Sequence, residues 1–235
     1  MSTSPSRTLS QFSTCEISDA LIKLGVPHGG HIPDIHMLSP SPHASEAANT
    51  RMCGPAYTVQ MVLGSDTSAP KPAAHFVDTA PAGSVIVIAA PPQVKNAVWG
   101  GLMTAGAQSR GAQGVVISGR CRDLAEHRSA NFPVFARGHS TLGQSPFTRP
   151  SAVNVPVTIA PEGVLASAEG AFAPATMNPG DVVVADEDGV VFVTPDLVVD
   201  VVRLAEKGRE VDAKCMADIQ AGVSVQEAFK RHRGK

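Results

Sequence analysis

The stretch from residue 84 to residue 138 constrains the fold of this 235-residue chain more than any other part. Three apolar runs within it, each typical of a strand buried on both faces, cover residues 84–90, 114–118 and 133–138. The pattern between them predicts helices over 95–110, with Gly100-Gly101 as a point that delays the start, and over 122–128. Alternating strands and helices favour parallel pairing through right-handed crossovers. We therefore expect an α/β fold.

The segments on either side of this stretch predict further elements. Ser13 and Glu16 have the spacing of a capping box, and Gly25 is placed to end the helix that follows. Strands over 56–62 and 153–159, a hairpin over 182–193 and a last helix from Pro195 to about Ala221 complete the prediction. The sequence has neither a clear linker nor an internal repeat. We expect one domain over residues 13–235, with mixed parallel and antiparallel sheet, after a disordered tail over residues 1–12.

Charge and composition exclude several classes of function. The 19 Lys and Arg against 21 Asp and Glu give a formal charge of −2, and aromatic residues make up only 4%. Nucleic-acid binders need a basic footprint or stacking platforms, so no nucleic acid is expected as a partner. No apolar run is long enough to span a membrane, and the N-terminus lacks the apolar core of a secretory signal. The four cysteines form no CxxC pair, which favours free thiols in a reducing cytoplasm.

Four histidines between residues 26 and 51 invite comparison with a metal site: His28, His31, His36 and His43. The segment is interrupted by four prolines and offers no HxxxH pair on a helix. Metal ligation needs converging side chains, so we interpret this segment as a surface loop.

Two loops at the carboxyl ends of the predicted parallel strands are candidate sites, because ligands of such sheets bind at this edge. The first carries Gly100, Gly101, Leu102 and Met103 at the start of a helix, where free backbone N–H groups favour a carboxylate or phosphate. The alternative is that the two glycines serve only a tight turn.

The second loop carries Arg122, Asp123 and Glu126 directly after a buried strand. If the helix begins at Arg122, the two carboxylates share one face of it. One or two carboxylates with room for water suit Mg²⁺, and a neighbouring arginine suits an organic carboxylate or enolate. The alternative is a solvated ion-pair cluster.

Together the two loops resemble a known motif. Gly101, twenty intervening residues, Arg122-Asp123, two more residues and Glu126 match the G-x20-R-D-x2-E/D pattern of class II pyruvate aldolases that act on 4-hydroxy-4-methyl-2-oxoglutarate and 4-carboxy-4-hydroxy-2-oxoadipate. These aldolases are grouped with the RraA-like proteins. The resemblance extends over residues 17–21, 54–59, 114–138 and 179–191, and it is strongest to the fungal branch.

The resemblance implies a fold and an activity. The fold is an αββα sandwich of the swivelling β/β/α type, assembled as a homotrimer or homohexamer with sites between subunits. The activity is metal-dependent retro-aldol cleavage of a small 2-oxo acid to pyruvate, accompanied by oxaloacetate decarboxylation through the same pyruvate enolate.

The resemblance also implies roles for individual residues. Asp123 binds Mg²⁺ or Mn²⁺ directly, and Glu126 supports the ion through a bound water. Arg122 contacts the 2-oxo oxygen and carboxylate of the pyruvyl group, while the backbone amides that follow Gly101, at Leu102 and Met103, hold that carboxylate.

Several alternatives stay open. Lys95 is the lysine that a Schiff-base aldolase would need. His127 is either the general base or a structural partner of its own helix. The resemblance implies a second source of the base, an acidic residue of a neighbouring subunit. The chain could instead be a non-catalytic regulator of the RraA type, although Glu126 favours an enzyme. It could also serve a specialised pathway with a different substrate, for which the loops at 37–52 and 143–151 leave room.

Overall fold

The computed structural model describes residues 5–41, 50–163 and 172–234. Its helices are α1 (Pro5–Leu9), α2 (Thr14–Lys23), α3 (Gly101–Ser109), α4 (Leu124–Ser129), α5 (Val198–Gln220) and α6 (Val225–His232). Its strands are β1 (His31–Ile32), β2 (His36–Ser39), β3 (Met52–Leu63), β4 (Val85–Ala89), β5 (Ala97–Trp99), β6 (Gly114–Cys121), β7 (Val134–His139), β8 (Thr148–Val153), β9 (Val157–Ile159), β10 (Ala175–Met177), β11 (Val182–Asp186) and β12 (Gly189–Val193).

One large mixed sheet organises the chain, with strands in the order β1-β12-β11-β3-β4-β6-β7-β2. The strands β3, β4, β6 and β7 are parallel to one another, and the apolar runs predicted this pairing for β4, β6 and β7. The expected hairpin forms from β11 and β12, which pair antiparallel with Asp186 opposite Gly189. This hairpin joins the sheet through antiparallel pairing of β11 with β3. The α/β class and the mixed sheet are therefore confirmed.

Three apolar clusters hold the layers together. One lies on the face of the parallel strands toward α3 and includes Trp99, which stacks near Phe132. The second fills the opposite face, where Phe135 of β7 packs with the β9–β10 ribbon. The third lies between the β11–β12 hairpin and the helices α1, α2 and α5. Burial of these side chains is the main stabilising contribution to the fold.

The N-terminus differs from the expected disordered tail. Residues 5–9 form α1, and both Leu9 and Phe12 are fully buried in the third cluster. Arg209 of α5 lies over the Phe12 ring, 4.6 Å from its centre. The segment is mostly polar, and two apolar side chains are too few to form the periodic pattern that predicts a helix. The capping box of Ser13 and Glu16 forms as predicted.

Other boundaries also differ from the prediction. Residues 97–99 are the strand β5 rather than helix, and α3 begins only at Gly101. The strand expected over 153–159 is interrupted at Asn154, whose φ of 52° is left-handed. A sixth helix, α6, follows the helix that was predicted to be the last. Residues 97–99 are a strand because they pair with β6, a tertiary contact that the local sequence pattern does not show.

The histidine-rich segment is not a simple loop, because β1 and β2 lie within it and join the large sheet. His28 stacks on Phe172 with ring centres 3.9 Å apart, and its Nε2 accepts from the Ala173 N–H. His43 lies outside the described residues. Within the described residues, no group of three or more potential ligands converges to hold a metal ion.

Candidate functional site

The candidate site forms where β5 and β6 end side by side. The two strands are parallel, with Trp99 opposite Cys121, so the residues that follow each strand meet at the same edge of the sheet. Gly100 and Gly101 follow β5, and Arg122 and Asp123 follow β6. The Arg122 N–H donates to the Trp99 carbonyl at 2.9 Å, which continues the pairing of the two strands up to the site.

Asp123 is the centre of the arrangement. Its Oδ2 accepts a hydrogen bond of 3.0 Å from the Gly101 N–H, and the same oxygen lies 3.5 Å from Arg122 Nε. The residue has a φ of 63°, a left-handed conformation that aspartate adopts more readily than most residues. Its Oδ1 accepts no hydrogen bond within the described part of the chain. One carboxylate oxygen is thus used to join the two loops, and the other is free.

The predicted helix start at Arg122 is wrong. Helix α4 begins at Leu124, with Asp123 as its N-cap residue and Arg122 in the preceding loop. Glu126 lies in the first turn, and its N–H donates to the Asp123 carbonyl at 3.0 Å. The two carboxylates therefore lie within one turn, but the left-handed Asp123 redirects its side chain toward Gly101.

The geometry explains why glycines occupy positions 100 and 101. A Cβ at Gly101 would lie 1.5 Å from Glu126 Oε2, a distance that no side chain can accept. A Cβ at Gly100 would lie 2.6 Å from Asp123 Oδ2. Both glycines thus leave space that the two carboxylates fill. The spacing of the motif has a physical cause, because its glycine and its last carboxylate occupy adjacent space.

A pocket of about 110 Å³ opens beside these residues. It is lined by Ala97, Val98, Trp99, Gly100, Leu102, Met103, Arg122, Asp123 and Gln144. Gly101 and Glu126 do not line the pocket itself. The pocket therefore brings together most of the predicted site residues and adds Gln144.

The two predicted backbone donors of helix α3 are not equivalent. The Met103 N–H donates to the Gly100 carbonyl at 3.0 Å, whereas the Leu102 N–H has no partner within the described residues. The Leu102 side chain is 84% exposed, so this end of the helix is open. Leu102 is thus the free donor at the pocket, at the positive end of the helix dipole.

His127 is buried and faces a hydrogen-bond chain rather than the pocket. Trp99 Nε1 donates to Thr104 Oγ1 at 2.9 Å, and the Thr104 hydroxyl is in turn hydrogen-bonded to His127 Nδ1, also at 2.9 Å. Burial lowers the pKa of the His127 imidazole, which keeps the ring neutral. This arrangement favours the structural interpretation of His127 over that of a general base. Lys95 is exposed and does not line the pocket.

Gln144 is the polar side chain of the pocket that the sequence did not place in the site. It lies on the loop after β7, within the segment 143–151 that the sequence linked only to a change of substrate. The rule that ligands bind at the carboxyl ends of parallel strands could have placed this loop at the site. A Cβ at the preceding Gly143 would lie 2.9 Å from Arg122 Nη1, which shows how closely the loop approaches the guanidinium. No motif marks the glutamine itself.

Comparison with known proteins places the chain in a family. Residues 14–192 match the model of the RraA-like family, described as Aldolase/RraA. The chain is 31% identical over 164 residues to a protein of Halalkalibacterium halodurans named "Putative 4-hydroxy-4-methyl-2-oxoglutarate aldolase", covering 70% of each chain. It is also 31% identical over 218 residues to protein DlpA of Legionella pneumophila. That match covers 92% of this chain, which spans about a third (32%) of the length of DlpA.

A solved structure shares the fold of this chain. The crystal structure of an uncharacterized protein from Pseudomonas syringae pv. tomato matches with a TM-score of 0.76 and 29% identity, covering 97% of this chain and 98% of that one. Together with the family match, this agreement confirms the RraA-like sandwich of mixed sheet and helices that the motif implied. The family match over most of the chain and the agreement in fold establish that this protein belongs to the RraA-like family of aldolase and RraA proteins.

Proposed function

We propose that the protein is a divalent-metal-dependent lyase that cleaves 4-hydroxy-4-methyl-2-oxoglutarate-type 2-oxo acids to pyruvate and also decarboxylates oxaloacetate. The observation that carries the proposal is the hydrogen bond from the Gly101 N–H to Asp123 Oδ2, with Arg122 on the same oxygen. It joins both halves of the aldolase motif at one pocket. The aldolase name of a 31% identical relative supports the same class of reaction.

The residues present fit a hydrated Mg²⁺ or Mn²⁺ ion. Asp123 would hold it through its free Oδ1, and Glu126, one turn away, through a bound water. Mg²⁺ in proteins commonly takes only one or two carboxylates and keeps several waters, so a two-carboxylate set is sufficient. When bound, such an ion supplies Lewis-acid stabilisation of negative charge on the 2-oxo oxygen.

The chain's own groups bind and orient the pyruvyl half of the substrate. Arg122 pairs with the 2-oxo oxygen and the C1 carboxylate, a planar match that guanidinium groups make well. The free Leu102 N–H donates to the same carboxylate at the start of helix α3. Charge that develops on the 2-oxo oxygen during cleavage then lies beside the Arg122 guanidinium.

Retro-aldol cleavage follows from this orientation. A base removes the proton of the 4-hydroxyl, the C3–C4 bond breaks, and its electron pair forms the enolate of pyruvate. Protonation of that enolate at C3 gives pyruvate, and the other half leaves as a second carbonyl compound. Oxaloacetate loses CO₂ from the same position and gives the same enolate.

We infer that the base comes from a neighbouring subunit in a homotrimer or homohexamer. The pocket offers no second carboxylate or free imidazole of its own among the described residues. Exposed apolar side chains lie near it, on α3 and on the loop after β7: Leu102 (84%), Leu142 (47%) and Phe147 (45%). A partner subunit would cover them.

We place the enzyme in the cytoplasm, where its four free thiols stay reduced. No helix in the described part of the chain has the length and apolar character to cross a membrane.

Pyruvate release tests the proposal. The purified oligomer is assayed with 4-hydroxy-4-methyl-2-oxoglutarate and with oxaloacetate, in Mg²⁺, in Mn²⁺ and after EDTA. We expect turnover of both substrates that disappears with EDTA and returns with the metal. A folded oligomer that releases no pyruvate under any of these conditions would contradict the lyase assignment and favour a binding protein instead.

A further inference from the structure

The pocket contains one polar side chain to which the proposed reaction gives no role. Its polar side chains are Arg122, Asp123 and Gln144. Arg122 and Asp123 account for the pyruvyl half of the substrate and for the metal. The side-chain amide of Gln144 is half-buried and makes no hydrogen bond within the described residues. An amide in a small pocket with both its donors and its acceptor free is available to a ligand.

The backbone of the loop that carries Gln144 is fixed on both sides. The Ser140 N–H donates to the Cys121 carbonyl, and the Ala97 N–H donates to the Leu142 carbonyl, both at 2.9 Å. The Gln144 carbonyl accepts from the N–H groups of Phe147 and Thr148 at 3.0 and 2.9 Å. The loop is therefore tied to β5 and β6, the strands that position the site.

A buried contact reinforces this anchoring. Asn96 Nδ2 donates to Thr148 Oγ1 at 2.9 Å, and both residues are buried. The loop also lies directly against the Arg122 guanidinium, since a Cβ at Gly143 would meet Arg122 Nη1. The backbone of Gln144 is thus held firmly while its side chain stays free, as a preorganised binding group requires.

We propose that Gln144 binds the leaving half of the substrate and selects 2-oxo acids that carry a carboxylate on that half. This inference rests on the proposed function. Arg122 and the start of α3 take the pyruvyl half, so Gln144 is the pocket side chain left to contact the rest of the molecule. Its Nε2 has two N–H donors for a carboxylate, and its neutral charge adds no second cation beside Arg122.

Two variants and three ligands test this assignment. Gln144→Met keeps the size and removes the donors, and Gln144→Glu adds a charge that repels a carboxylate. The substrates are 4-hydroxy-4-methyl-2-oxoglutarate, whose leaving half carries a carboxylate, and 4-hydroxy-2-oxopentanoate, whose leaving half does not. Oxalate, which mimics the pyruvate enolate and has no leaving half, serves as the binding probe. Gln113→Glu is the matched control, since Gln113 is exposed at the opposite end of β6.

We expect kcat/KM for the carboxylated substrate to fall about 10- to 100-fold in both Gln144 variants, the effect of losing a hydrogen bond to a charged group. For 4-hydroxy-2-oxopentanoate, kcat/KM of the Gln144 variants should change less than about threefold, and their affinity for oxalate should equal that of the wild type. The control Gln113→Glu should match the wild type in all three measurements. The role of Gln144 would be overturned if the ratio of kcat/KM values for the two substrates were the same in the variants as in the wild type. It would also be overturned if kcat/KM fell equally on both substrates and oxalate bound more weakly. A wild type that turns over neither substrate would overturn the proposed function, and this inference with it.

Discussion

The Gly101 N–H donates to Asp123 Oδ2 at 3.0 Å and so joins the start of helix α3 to the loop after β6. The same glycine lacks the Cβ that would collide with Glu126. One position therefore serves both carboxylates, donating to the first and leaving space for the second. This relationship explains the fixed spacing of the motif and leads to several predictions.

Gly101→Ala should disrupt the site without unfolding the protein. The added Cβ would lie 1.5 Å from Glu126 Oε2, so the Glu126 side chain must leave its place. We expect pyruvate release to fall at least about tenfold, with the circular dichroism spectrum unchanged. Gly208→Ala in helix α5 is the matched control, because only the end of the Lys23 side chain approaches its Cβ, at 3.8 Å. That variant should keep full activity; equal activity in both variants would contradict the steric argument.

Arg122→Lys should show that the guanidinium geometry matters beyond its charge. A lysine ammonium cannot pair with the 2-oxo oxygen and the carboxylate as a planar fork does. We expect kcat/KM to fall about 10²- to 10³-fold, as for loss of a transition-state donor, and oxalate to bind more weakly. Steady-state kinetics and calorimetry measure these two effects. Near wild-type values for Arg122→Lys would show that charge alone suffices.

Thr104→Val should destabilise the fold through the chain that runs from Trp99 to His127. The valine leaves both Trp99 Nε1 and His127 Nδ1 without the hydroxyl that now pairs with them, and all three residues are buried. We expect a loss of about 1–3 kcal/mol in the free energy of unfolding by urea. Thr104→Ser keeps the hydroxyl and should recover most of that loss. A serine variant as unstable as the valine variant would point to packing instead.

Asp181→Asn should stabilise the protein at neutral pH and not in acid. Burial raises the pKa of the Asp181 carboxyl, so the folded state binds its proton more tightly than the unfolded state does. This contribution is complete below the ordinary pKa of 3.8 and is lost as the pH rises through the raised value. Asparagine carries no charge to desolvate and can still accept from the Asn178 N–H.

Thermal unfolding of wild type and Asp181→Asn at pH 7 and pH 3.5 measures this difference. We expect the variant to melt about 2–4 °C higher at pH 7, the change that about 1 kcal/mol produces in a domain of this size. The difference should shrink toward zero at pH 3.5. A gain of equal size at both pH values would contradict a cause in ionisation.

Much of the parallel core was predictable because burial on both faces leaves a continuous apolar run. The strands β4, β6 and β7 and the capping box at Ser13 followed from local pattern alone. The short strand β5 did not, since three residues gain strand character only from the neighbour with which they pair. Likewise Leu9 and Phe12 are buried by the helices that pack over them, which no local pattern records.

The candidate site was predictable to a similar degree. Motif spacing indicated Gly101, Arg122, Asp123 and Glu126, and the structure brings all four together. The left-handed Asp123 was not predictable, because the group that its side chain meets lies 22 positions away in the sequence. Gln144 lies outside the motif and enters the pocket on the loop after β7.

We expect Asp123 to be required for metal-dependent release of pyruvate. The most direct measurement compares wild type and Asp123→Asn at saturating Mg²⁺, with 4-hydroxy-4-methyl-2-oxoglutarate as substrate. Asparagine keeps the shape of the side chain and an oxygen for the Gly101 N–H, and it removes the negative charge that a divalent ion needs. We expect a folded variant whose pyruvate release falls at least about 10²-fold. A folded Asp123→Asn with wild-type turnover would contradict this expectation.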